Sequence, residues 1–181
     1  MKKYALVIPL TGPIDDACQE AWALLAAEYG VKYISSRCPF PYLPLYAGST
    51  KRSAETVFSV WREGVSSRTI DLRSDGLGVF LFNSPILYVR WLRTEALSTI
   101  YAEAMKSYGP ICGSPAISTQ PEYWTPKTTL AGTDTSVDNL SGMLDCIEGI
   151  DFLQSFRATE LAILEFDENG ESVVSRFSLE K

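Results

Sequence analysis

Two short segments of this chain echo one another. Pro41-Tyr42-Leu43-Pro44-Leu45 and Pro126-Lys127-Thr128-Thr129-Leu130 each open on proline, close on leucine, and are soon followed by an Ala-Gly pair, Ala47-Gly48 and Ala131-Gly132. Each also comes soon after a turn-rich stretch. Two lobes related by a pseudo-twofold would set the pentads side by side in a central cleft. The 181 residues suffice for one ordinary domain or two small, intimately packed lobes. No composition break marks a linker, so one domain of two lobes over 1–181 is expected.

The order of elements narrows the fold class. Residues 3–9 read as a strand, and 14–29 carry an apolar stripe at helical spacing that stops at Gly30. A second extended segment begins near Val31 and runs through the first pentad. A short helix is expected over 53–62. Residues 68–73 alternate as a half-buried strand does, and 76–82 and 85–91 read as two further strands joined by Asn83-Ser84. The spacing predicts a helix over 94–108, capped by Thr94 and ended by Gly109-Pro110. A loop over 111–126, a strand over 127–131 and a helix over 137–148 follow. Asn169-Gly170 then marks the turn of a closing hairpin, 159–166 with 172–179. Strands and helices alternate, but hairpins are frequent, which favours an α+β fold with mainly antiparallel sheets.

Composition excludes several functions. Net charge is −6 with no block of like charge, which argues against a long nucleic acid as partner, since that needs a basic stripe. No apolar run approaches the roughly 20 residues that cross a bilayer. The N-terminal apolar stretch is short and broken by Pro9, so it reads as a strand, and a cytosolic location with no membrane partner is expected. The four cysteines are scattered and the chain has no histidine, so no zinc site, redox role or cofactor is expected. Gly76-Leu77-Gly78 lacks the strand-to-helix setting of a phosphate loop. Histidine is also the usual general acid and base near neutrality, and its absence removes that chemistry.

Over nearly its full length the order of elements resembles the 2H phosphoesterase superfamily, the group of the 2′-5′ RNA ligase-like proteins and cyclic nucleotide phosphodiesterases. The family motif is His, hydrophobic, Thr or Ser, hydrophobic, present twice and often preceded by proline. Set on this chain, the histidine positions fall on Tyr42 and Lys127, and the hydroxyl positions on Pro44 and Thr129. The resemblance implies a bilobal fold with a central cleft. It also implies that one histidine serves as base, the other protonates the leaving oxygen, and the hydroxyls hold the phosphoryl oxygens. Here only Thr129 matches. A general acid or base is worth about 10²- to 10⁴-fold in rate, so losing both removes most of an enzyme's power.

These substitutions point to a binding protein whose partner is a small phosphorylated ligand, a nucleotide or a cyclic or oligomeric one. Lys127 offers phosphate a point charge, and Thr129 a hydroxyl. Tyr42, Tyr46, Tyr123 and Trp124 flank the pentads as candidate walls for a base, and Arg37 is a candidate phosphate partner. Phe80-Leu81-Phe82 reads as core. Two other readings stay open: a divergent phosphodiesterase using Lys127 and Tyr42, and an interaction protein whose cleft is filled by large side chains such as Tyr42 and Trp124. The sequence leaves the oligomeric state open.

Overall fold

The computed structural model describes residues 1–180, folded as two antiparallel sheets and four helices. The elements are β1 (Lys2–Pro9), α1 (Pro13–Tyr29), β2 (Tyr42–Thr50), α2 (Ala54–Gly64), β3 (Ile70–Phe80), β4 (Ile86–Trp91), α3 (Glu95–Tyr108), β5 (Ser114–Pro115), β6 (Lys127–Ala131), α4 (Leu140–Ile147), β7 (Ser155–Ala158), β8 (Glu160–Phe166) and β9 (Glu171–Ser178). The first sheet has the order β5-β2-β1-β8-β9, the second β6-β4-β3-β7.

The sheets share a plan. In each, the pentad strand (β2 or β6) pairs with the strand that leads into it (β1 or β4), and a helix (α1 or α3) lies between them in the chain. The helices cross over: α1 packs on β6 and α4, while α3 packs on β2 and α2. Each pentad strand therefore contacts the helix of the other half, and β2 and β6 also contact one another. The expected α+β architecture, with its two lobes around the pentads, is what the chain adopts.

Local signals set most element ends. Gly30 adopts φ 67° and returns its N–H to the Ala26 carbonyl, closing α1. Ser53 and Thr94 cap α2 and α3 by accepting from the Thr56 and Leu97 N–H groups. The Asn169-Gly170 turn joins β8 to β9, with the Asp167 carboxylate accepting from both turn N–H groups.

Four segments differ from the sequence reading. The two strands expected over 68–73 and 76–82 form one strand, β3, because Gly76 at φ 99° absorbs a register shift between Ser74 and Leu77. The extended segment expected from Val31 is instead a turn, and the strand begins at Tyr42. The helix expected over 137–148 is only Leu140–Ile147. Strand β7, four residues long, has no counterpart in the sequence reading; it is held by pairing with β3 rather than by its own alternation.

Pro44 sits where β1 and β2 shift register, Leu6 facing Tyr46 and Val7 facing Pro44. A proline inside a strand belongs at an edge or bulge, and the bulge is here.

The main core is shared by both sheets, with Ile70, Leu72, Leu87, Val89 and Leu130 from the second. It takes Tyr4, Leu6 and Ile8 from β1, while Ala5 and Val7 turn to a smaller cluster with Ala47, Ala162 and Leu164. Both faces of β1 are thus buried, which is why its sequence is continuously apolar. The small residues fall on the cleft side and leave room there.

Candidate functional site

Period-two alternation decides what the pentads present. Their third and fifth residues, Leu43, Leu45, Thr128 and Leu130, are buried. Their second and fourth, Tyr42, Pro44, Lys127 and Thr129, turn to a cleft of about 760 Å³ between the sheets. The floor includes Ala5 and Ala47, and the walls include Phe80, Phe166, Ile34 and Ile86. Its size is that of a small-molecule site.

Lys127 is the half-buried cation of this cleft. Its Nζ lies 5.5 Å from the centroid of the Phe80 ring. Among the described residues it enters no ion pair with a carboxylate. Burial lowers its pKa from the ordinary lysine value, since a desolvated ammonium is harder to keep charged. An anion entering the cleft would restore what burial removes.

Tyr42 behaves differently. Its hydroxyl donates to Glu171 Oε2 at 2.7 Å, tying β2 to β9. Burial pushes the Tyr42 phenol well above its usual range, and the neighbouring Cys38 and Glu171 add to that. Burial also raises the Glu171 carboxyl, opposed by the hydrogen bond from Tyr42, and raises the Cys38 thiol to about 12. Tyr42 thus donates its hydroxyl to Glu171, and its surroundings favour the protonated phenol.

Because the folded state holds the Glu171 carboxyl above its unfolded value, ionised Glu171 is a burden on stability. The burden is fully present above the folded pKa and is relieved as pH falls through it. Glu171→Gln is therefore expected to gain stability relative to the parent at neutral pH, and to lose that advantage in acid. Urea denaturation at the two pH values measures this; an advantage that grew in acid would refute it.

The other residues singled out from sequence divide into two groups. Tyr123 and Thr129 line the cleft with Lys127 and Tyr42. Tyr46, Trp124 and Arg37 do not. Tyr46 is 1 % exposed and packs edge-on against Trp61 and Tyr108 in the core. The bulge after Pro44 turns it there, since it leaves Tyr46 opposite the core residue Leu6. Trp124 is a strut between the pentads: it stacks on Tyr101 at 3.9 Å, and its indole N–H donates to the Pro44 carbonyl at 3.1 Å. Arg37 lies in the turn before β2, lines a separate depression beside the β8–β9 turn and donates to the Asp167 carbonyl. The 760 Å³ cleft stands open, so neither Tyr42 nor Trp124 fills it.

The β3–β4 connection corrects the core reading of Phe80-Leu81-Phe82. Leu81 and Phe82 are 74 % and 61 % exposed, and Phe80 and Phe82 line the cleft. They lie where β3 ends and the chain turns into β4. Sequence reasoning also missed Lys3, Phe166 and Glu171. Lys3 shares a face of β1 with Ala5, so alternation could have found it. For Glu171 no local signal exists, because only the pairing of β9 brings it to Tyr42.

Among the described residues, no three His, Cys, Asp or Glu gather where a metal could sit, and no helix is long and apolar enough to cross a membrane.

No protein-family model matches the sequence, and neither does any curated protein. Solved structures do match, over essentially the whole chain. TT0787 of Thermus thermophilus superposes with a TM-score of 0.67 at 16 % identity, covering 99 % of this chain and 98 % of that one. Escherichia coli LigT complexed with 3′-AMP gives 0.61 at 14 % identity, covering 99 % of each. Usb1 of Kluyveromyces marxianus gives 0.53 at 12 % identity, covering 99 % and 98 %. The fold is therefore that of the LigT-like 2H phosphoesterases. Matching structures of LigT also include complexes with ATP and with NADP+.

Proposed function

We propose that this protein binds a nucleotide, or a cyclic or oligomeric nucleotide phosphate, in the cleft between the pentads and does not cleave it. The observation that carries this reading is Lys127: a half-buried ammonium with no carboxylate partner among the described residues, set in an aromatic-walled cleft beside the Thr129 hydroxyl. The nucleotides in the LigT structures support the ligand class. On the resemblance, Tyr42 and Lys127 stand at the two histidine positions. Neither replaces a histidine. The Tyr42 phenol is held protonated against Glu171. A lysine ammonium ordinarily gives up its proton at about pH 10.4, and although burial lowers that value for Lys127, it serves as a fixed charge rather than as an imidazole does. Pro44 offers no hydroxyl to a phosphoryl oxygen.

Calorimetric titration with a panel of mono-, cyclic and dinucleotides tests the binding half of the proposal. Chromatography of each mixture after long incubation tests the other half. Binding with intact ligand recovered is the expected result. Product formation that disappears in a Lys127 variant would establish an enzyme instead.

A further inference from the structure

A second cation stands in the same cleft. Lys3 lies on β1 in the first sheet, and its Nζ is 4.5 Å from the centroid of the Phe166 ring on the neighbouring β8, the residue it faces in register. In the second sheet Lys127 on β6 rests on Phe80 of β3, across the intervening β4. The cleft is therefore bounded by two ammonium groups, each resting on an aromatic ring, one from each sheet. No aspartate or glutamate lines it. Neither lysine enters an ion pair among the described residues. Lys3 also borders a neighbouring depression lined by Arg37, Asp167 and Glu171, and Glu171, which takes the Tyr42 hydroxyl, is the carboxylate that feels it. On a chain of net charge −6, a cleft with two cations and no carboxylate is a local reversal of sign. Like charges facing one cavity repel, and separated anions are what relieves them.

We propose that Lys3 forms a second anion position, so that the ligand carries two separated phosphate groups, one on each wall, with its bases between the aromatic side chains. This rests on the reading of the cleft as a nucleotide site. Phe80, Phe82, Phe166 and Tyr123 supply π-faces for planar rings. The ligand class is thus a dinucleotide that carries two phosphates, or a nucleoside with two phosphates at different positions, in preference to a nucleoside monophosphate.

The test compares adenosine 5′-monophosphate with a dinucleotide bearing two phosphodiesters, titrated into the parent protein, Lys3→Ala and Lys127→Ala. Removing one charge-assisted hydrogen bond from such a site lowers affinity by roughly 10- to 100-fold. Lys3→Ala is expected to weaken the dinucleotide by about that factor and leave the monophosphate unchanged, while Lys127→Ala weakens both. Lys3 is exposed, so its removal leaves the fold intact, which the thermal midpoint checks. If Lys3→Ala changes neither ligand, or both equally, the second anion position is wrong while the cleft reading survives through Lys127. If no probe binds, or Lys127→Ala has no effect on any, the cleft reading falls and this inference with it.

Discussion

Trp61→Ala is expected to cost about 3–5 kcal/mol of unfolding free energy, the usual loss when a fully buried large aromatic is truncated. Trp61 is 0 % exposed on α2, tilted against Tyr108 at 4.3 Å between centroids and set edge-on to Tyr46 at 6.4 Å. These rings join α2, α3 and β2, the elements that back the first pentad from the core side. Deleting the indole leaves a cavity lined by side chains from three elements, and such a site collapses poorly. The indole N–H has no partner among the described residues, nor do the nearby Tyr108 and Tyr4 hydroxyls. Trp61→Phe should therefore retain most of the stability, because the polar atom it removes holds nothing. Urea denaturation of both variants checks the pair. Equal losses would mean that the N–H is bonded after all and that packing is not the main term.

Lys127→Ala is expected to lower affinity for a phosphate ligand by roughly 10- to 100-fold, the worth of a charge-assisted hydrogen bond in a partly desolvated site. The same substitution should leave folding stability unchanged or slightly raised, since burial already disfavours the charged ammonium. Loss of binding without loss of stability distinguishes a ligand-binding lysine from a structural one. The pH dependence follows in sign. The ammonium is charged below its pKa, and burial moves that pKa downward, so the free site loses its charge at lower pH than an exposed lysine would. Phosphate affinity should accordingly fall as pH rises towards the lysine range, with proton uptake on binding. Lys127→Met, which keeps the apolar stem over Phe80 but has no charge, should show the weak affinity at every pH. Titration at several pH values in buffers of different ionisation enthalpy measures both effects. An affinity that rose with pH would rule out the ammonium as the group that meets the anion.

The pentads were the most legible part of the sequence because a strand has a fixed period. Once 41–45 and 126–130 are strands, Tyr42 and Lys127 must share faces with Pro44 and Thr129, and the intervening residues must be buried. The helix caps at Thr94 and Gly30, and the Asn169-Gly170 turn, were legible for the same kind of reason. Each is a local hydrogen-bonding need met by residues a few positions away. Strand β7 was not legible, since pairing with the distant β3 decides it, and neither was the turn at 33–37, which Asp134 holds from far along the chain by accepting from the Lys32 and Tyr33 N–H groups. The aromatic residues misled most. Tyr46 and Trp124 are adjacent to the pentads in sequence yet belong to the core and to the strut, and Phe82 reads as core yet lines the cleft. Hydrophobic character alone does not tell a buried ring from one that walls an open site.

By itself the sequence determined the α+β class, the two pentads as equivalent strands, and the absence of histidine, because composition and short-range periodicity are properties of the chain alone. The tertiary structure decided what the cleft contains. Lys3 and Phe166 come from the first sheet, Lys127 and Phe80 from the second, and Glu171 reaches Tyr42 only because β9 closes the first sheet. These groups meet through strand pairing between residues far apart in the chain, and no local pattern encodes such a meeting.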